Sequence, residues 1–336
     1  ITTDLNFTQR DDMVYTHRKK GNTDIYFLYN PDKSATVLEC NFNIKDKIPE
    51  LWNPVTGQTK KLGQFKQEGG VTKTWIPLEA EESVFVVFRE SSKGVPAVTL
   101  ENHPKSITDE FILGDKNQLQ LKTSENGTYN THFNSGERQE LTVKNIKAPI
   151  SIDKGWKVAF LGQQEVETTV TFDSLIDWKD HNNQEIKYYS GTATYHKTFN
   201  FDLENTIETD RFILDLGKVS IAAEVIINGQ NLGVLWMAPF KVDITQALKN
   251  GANNLEIKVT NQWTNRLIGD ERFAATDEYS KTDALMPAWY VNNEPMPVSE
   301  RTTFTTAQFY NANSPLLSAG LVGPVYIHNE QIIAVK

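Results

Sequence analysis

The run Ala223-Glu224-Val225-Ile226-Ile227-Asn228-Gly229-Gln230-Asn231-Leu232-Gly233-Val234-Leu235-Trp236 sets the fold class. Two β-rich arms flank Asn228-Gly229, and both of those residues tolerate the positive φ that a two-residue hairpin turn demands. Working outward, Asn254-Leu255-Glu256-Ile257-Lys258-Val259 alternates cleanly. That period of two puts Leu255, Ile257 and Val259 on one face of a strand. Upstream, Ala193-Thr194-Tyr195-His196-Lys197-Thr198-Phe199 alternates small or aromatic residues with polar ones, and Arg211-Phe212-Ile213-Leu214-Asp215-Leu216 ends at Gly217. Short strands at such spacing predict a sandwich or a jelly roll.

The remainder of the chain reads the same way. Asp24-Ile25-Tyr26-Phe27-Leu28-Tyr29 lies between Gly21-Asn22 and Asn30-Pro31, and Ser83-Val84-Phe85-Val86-Val87-Phe88 follows an acidic stretch. Aromatic and β-branched enrichment between turn residues predicts strands. Trp52-Asn53-Pro54-Val55-Thr56-Gly57 is a turn between strands. Patterns of helical period are nearly absent; one short turn is expected at Thr245–Lys249, capped by Asp243 or Thr245 and stopped at Asn250-Gly251. With 336 residues, two or three domains are the prior. The expected division is 1–92, a β-sandwich; 93–150, a small β subdomain or an extension of the first; and 151–336.

The net charge of −9 repels phosphate backbones, so nucleic acid is not expected as a partner. No apolar run is long enough to span a membrane. The single cysteine, Cys40, lies in a strand pattern and reads as a buried structural thiol. The chain opens at Ile1 without an initiator Met or a leader, so removal of a preceding part is expected.

An ordered set of motifs resembles a known family. Ser190-Gly191-Thr192-Ala193-Thr194-Tyr195-His196-Lys197-Thr198-Phe199, Leu214-Asp215-Leu216-Gly217, the Asn228-Gly229 hairpin, Pro239-Phe240-Lys241-Val242-Asp243-Ile244-Thr245 and Gly251–Ile257 resemble the galactose-binding-like jelly roll of glycoside hydrolase family 2. Thr260-Asn261-Gln262-Trp263-Thr264-Asn265-Arg266-Leu267-Ile268-Gly269-Asp270-Glu271 and Ser318–Val325 resemble family 106, the α-L-rhamnosidase group, as do Tyr15–Arg18 and Glu50–Gly57. The resemblance implies an all-β chain, an antiparallel β-sandwich followed by a galactose-binding-like β jelly roll. It implies further a secreted, periplasmic or cell-surface protein of bacterial type. That family's (β/α) barrel, about 250 residues in such folds, has no counterpart here, so the resemblance implies a catalytic barrel N-terminal to these residues in a longer protein.

Metal, phosphate-loop and serine-hydrolase motifs are missing from the sequence. His17, His103, His132, His181, His196 and His328 lack supporting motifs and read as solvated or strand-edge. Glycoside hydrolysis needs two carboxylates flanking the bond. Asp270, Glu271, Glu294 and Glu300 lie in the stretch 261–313, expected to be irregular, where they read either as loop charges or as an acid pair. An indole stacks on the apolar face of a sugar while amide, carboxylate and guanidinium groups meet its hydroxyls. Trp236, Trp263, Asn265, Arg266, Asp270, Trp289 and Arg301 are the sugar-binding candidates on that ground. The alternative is that Trp263 and Arg266 hold a loop in place. Trp156, at the start of a strand, reads as core. Asp173–Asn183 offers hard oxygen ligands that suit a structural calcium ion. Three functions stay open: an accessory carbohydrate-binding portion of a glycoside hydrolase, a self-sufficient glycosidase using carboxylates between 270 and 300, and a purely structural or adhesion β-module.

Overall fold

The computed structural model describes residues 3–8, 10, 13–100, 107–161, 167–274 and 285–335. His103 and the part of the 261–313 stretch numbered 275–284 lie outside these. The chain is all-β, with antiparallel sheets throughout. It divides into two compact units: Ile1–Ile150 with Asn205–Leu214 and Ile327–Lys336, and Ser151–Glu204 with Asp215–Tyr326.

The first unit is a sandwich. One sheet orders Leu5–Phe7, Thr36–Phe42, Val71–Leu78 and Phe65–Glu68; another runs through Tyr15–Lys20, Thr23–Tyr29, Ser83–Ser91, Lys47–Trp52 and Thr59–Leu62. Alternation decides what faces inward. Tyr26, Leu28, Val84, Val86 and Phe88 from one sheet meet Leu38, Cys40, Phe42, Ile76 and Leu78 from the other. The Phe42 ring meets Tyr26 and Phe88 edge-on at 4.8 and 5.0 Å, and each such fully buried side chain contributes roughly 1.5–3 kcal/mol. Cys40 is fully buried, and burial pushes its thiol pKa far up, as expected of a structural cysteine. The Trp52–Gly57 turn forms as read: the Asn53 side-chain oxygen accepts from the N–H groups of Val55 and Thr56 at 2.8 and 3.0 Å. A second core joins Ile48 and Phe65 to Val98, Phe111, Leu121, Tyr129 and Val143.

His17 is more than a solvated strand-edge residue. Its ring lies parallel to Tyr26 at 4.1 Å, with Nδ1 against Asp4 and Nε2 3.3 Å from Asp24. Asp24 is buried, and burial raises its pKa; the ammonium of Lys47 at 2.9 Å, with Lys19 and His17, outweighs that and holds the carboxyl below its ordinary value.

In the second unit the sheet order is Glu167–Ser174, Lys154–Leu161, Thr192–Phe201, Gly251–Thr260, Ala222–Ile227, Gln230–Leu235. The Asn228-Gly229 hairpin forms with φ of 52° and 82°. Trp156, Ala193, Tyr195, Val225, Ile257 and Val259 face inward and are fully buried. Trp178 supplies the centre: its indole N–H donates to the Tyr195 hydroxyl at 2.6 Å, and that hydroxyl accepts from the Leu321 N–H at 3.1 Å. Gly320 is obligatory here, because its φ is +92° and an added Cβ would lie 2.3 Å from the Trp178 indole nitrogen. The outward face of the sheet is polar, with Lys258 between Glu224 and Glu256 at 3.4 and 3.5 Å. Thr245–Ala247 forms one 3-10 turn, and the Asp243 carboxylate accepts from the Thr245 N–H at 2.9 Å.

The stretch expected to be irregular holds two short helices, Thr264–Asp270 and Ala288–Val291. Neither has a side-chain N-cap, and that missing signal is why the sequence reads as loop. The first is set by burial of Asn265, Ile268 and Gly269 at helical spacing.

Candidate functional site

The site candidates separate into a clasp, an aromatic cluster and two exposed indoles, all in the second unit. The clasp is built on the helix Thr264–Asp270. Asn265 is buried, its amide nitrogen donating to the Leu317 carbonyl at 2.8 Å while its oxygen accepts from the Leu317 N–H at 2.8 Å. A buried amide that closes this two-way bond has matched one backbone donor and one acceptor.

Asp270, five residues on, is buried as well. It accepts from the N–H groups of Thr302 and Thr303 at 3.0 and 2.8 Å and from the Thr303 hydroxyl at 2.7 Å. Arg266, one helical turn back, sits 3.6 Å from the other carboxylate oxygen. Charge-assisted bonds of this kind are the strong ones, and they are what makes a buried carboxylate tolerable. Arg301 is buried too. It donates to the carbonyls of Phe273 and Ala274 and to Glu271 at 3.0 Å. Asp270, Glu271 and Arg301 thus meet along one side of a small recess of about 10 Å³, with Thr303, Phe309 and Tyr310.

Trp289 stands apart from that clasp. Its ring meets Phe304 edge-on at 4.9 Å and Tyr290 at 6.0 Å. Glu294 and Glu300 are exposed. Trp236 and Trp263 are the exposed indoles, at 57% and 64%. Register places both toward one end of the six-stranded sheet: Thr260 pairs with Ala222, and Ala223 pairs with Leu235, the residue before Trp236. Exposed Ile221 emerges at the same end. Sequence reasoning picked out Glu271 beside Asp270 but missed Thr302, Thr303, Phe309 and Tyr310 as members of this neighbourhood. No local pattern marks them: Thr302 and Thr303 gain their role from Asp270 roughly thirty residues away, and Phe309 and Tyr310 only by lining the same recess.

In the stretch 173–183 the side-chain oxygens of Asp177 and Asn183 accept from backbone N–H groups of Ala319 and Glu185 at 2.9 and 2.8 Å. Among the described residues no three His, Cys, Asp or Glu side chains gather in a way that could hold a metal ion. No helix among them is long and apolar enough to cross a membrane.

Comparison with known proteins matches both ends of this description. Residues 1–67 match the family described as alpha-L-rhamnosidase, glycoside hydrolase family 106, and residues 158–288 match the glycosyl hydrolase 2 galactose-binding domain-like family. The solved rhamnosidase from Novosphingobium sp. PP1Y superposes over 98% of this chain with a TM-score of 0.69 and 28% identity, using 25% of its own length. These are β-domains of the family 106 type. A Formosa agariphila protein named "Putative beta-glucuronidase" is 40% identical over 301 residues, which is 88% of this chain and 25% of that protein. The family 106 β-domains described here therefore span about a quarter of the length of each of these relatives. The galactose-binding-like match takes in the strands Thr192–Phe201, Ala222–Ile227 and Gly251–Thr260 and the Asn265–Asp270 part of the clasp.

Proposed function

We propose that this chain is a non-catalytic, carbohydrate-facing portion of a secreted glycoside hydrolase that acts on rhamnose-containing glycans. The observation that carries the reading is the state of Asp270: it is buried, its Oδ2 accepts from the Thr302 and Thr303 N–H groups and its Oδ1 lies 3.6 Å from Arg266, so it is committed to holding the segment rather than poised beside a glycosidic bond. The exposed indoles Trp236 and Trp263 are suited to stack on a pyranose, while Asn265, Asp270 and Arg301 serve by holding the segment beside them in place. Bond cleavage is assigned to a barrel elsewhere in a longer protein, by analogy with relatives about four times as long.

The purified chain should leave aryl-rhamnosides intact and bind rhamnosylated oligosaccharides in calorimetry. Trp263→Ala and Trp236→Ala should each weaken that binding. Hydrolysis by the chain alone, abolished in Glu294→Gln or Glu300→Gln, would overturn the non-catalytic assignment. An absence of any calorimetric signal would leave only the adhesion or scaffolding alternative.

A further inference from the structure

The first unit holds an indole that the motifs did not single out. Trp75 lies in Val71–Leu78, where Thr72, Thr74 and Ile76 point into the core. Trp75 and Lys73 therefore face outward. Register sets Glu39 opposite Trp75, and Asn41 and Lys66 on either side of Lys73. These side chains are ordered by one another. The Lys73 ammonium is 5.3 Å from the Trp75 ring centroid and 2.7 Å from Glu39. The Thr8 hydroxyl donates to Glu39 at 2.5 Å and accepts from Asn41 at 3.2 Å. Asn41, Lys66, Lys73 and Trp75, together with Glu68, Val71 and, from the neighbouring strand Val98–Leu100, Thr99, line a groove of about 480 Å³, within the size range of ligand sites.

The same indole borders a second, narrower recess with Gln64, Asp109 and Glu110. Asp109 is 3% exposed, and one of its oxygens accepts from Thr123 and Tyr129 at 2.6 and 3.0 Å. Its other oxygen is buried with no hydrogen-bond partner among the described residues. Such an acceptor is costly unless a donor reaches it.

We propose that this groove is a binding site for a neutral oligosaccharide, separate from the exposed indoles of the second unit. Charge decides the class of ligand. Both ammonium groups are matched by carboxylates, Lys73 by Glu39 and Lys66 by Glu68 at 2.5 Å, so among the described residues the groove holds no surplus cation for an acidic ligand. What it presents is a half-buried indole beside closely spaced donors and acceptors. Sugar hydroxyls both donate and accept, and sugar C–H faces are apolar, so a pyranose meets each feature at once.

The test is an NMR titration of the 336-residue chain, with the Trp75 indole N–H assigned by its loss in Trp75→Phe. The probes are xylotetraose and a rhamnose disaccharide as neutral ligands and tetragalacturonate as the acidic one. The Trp75 signal should move with a neutral probe, and Lys73→Ala and Asn41→Ala should weaken that response about five-fold or more. Trp263→Ala should leave it unchanged. A Trp75 signal that stays still with both neutral probes, or that responds only to the uronate, would overturn the proposal. Binding lost in Trp263→Ala but retained in Lys73→Ala would sink this site while sparing the second-unit surface.

Discussion

The sheet around Trp178 and the segment that follows Trp263 lie in one unit and are held by different means. In the sheet, the strands Thr192–Phe201, Ala222–Ile227 and Gly251–Thr260 bury alternate side chains over most of their length, and a ladder of backbone bonds runs through six strands. Trp178 adds one indole bond to a core that is already closed. The segment from 285 to 317 has almost no ladder. It is tied back at a few points, chiefly Asn265 to Leu317, Asp270 to Thr302 and Thr303, and Arg301 to Glu271 and the Phe273 carbonyl. The core is close-packed over many contacts and resists as one unit. A clasp made of a few buried polar bonds depends on each.

The largest effect should come from Gly320→Ala. The new Cβ meets the Trp178 ring at a backbone angle unfavourable to alanine, and a cost of about 3 kcal/mol or more is expected from clash and strain together. Urea denaturation should show it; a change below about 1 kcal/mol would mean the sheet yields more easily than close packing allows. Asp270→Ala comes next. It leaves the Thr302 and Thr303 N–H groups and the Arg266 guanidinium without their acceptor, at a cost of about 2–3 kcal/mol. Limited proteolysis should cut between 285 and 317 first while the six-stranded sheet stays protected; simultaneous loss of both regions would erase the distinction drawn here.

Acid should weaken the first unit through two of its carboxylates. Asp4 and Asp24 in the first have folded-state pKa values below the ordinary 3.8. For Asp4, burial raises the value, and the bonds from Tyr15 and His17 outweigh it. A carboxyl with a depressed folded pKa takes up protons more readily when unfolded. Its stabilisation is present in full above its unfolded value and is lost as pH falls through the folded one. The first unit should therefore loosen below about pH 4, and Asp24→Asn should flatten that dependence in pH-jump denaturation curves. The smallest effect is expected from Trp263→Ala. An indole 64% exposed should change stability by less than about 0.5 kcal/mol, so any loss of sugar binding in that variant reports contact rather than unfolding.

Much of this was legible in the residues alone. Alternation at Asn254–Val259, the Asn228-Gly229 turn and the Asn53-centred turn are local patterns with local causes, and each forms as read. Trp156 reads as core from its strand and is fully buried. The site was less legible. Trp263 and Asn265 are two residues apart in one motif, yet one is exposed and the other clamped. The helix Thr264–Asp270, which sets that difference, carries no cap to announce it.

The sequence by itself determined the strands, their inward faces and the hairpin turns, because those follow from side-chain period and backbone freedom within a few residues. Only the tertiary structure decided which polar groups are spent on holding the chain. Asp270 and Arg301 find their partners about thirty residues away, and Glu39, Lys73 and Trp75 meet across neighbouring strands. No local pattern encodes a meeting between side chains that only the packed sheets bring within bonding distance.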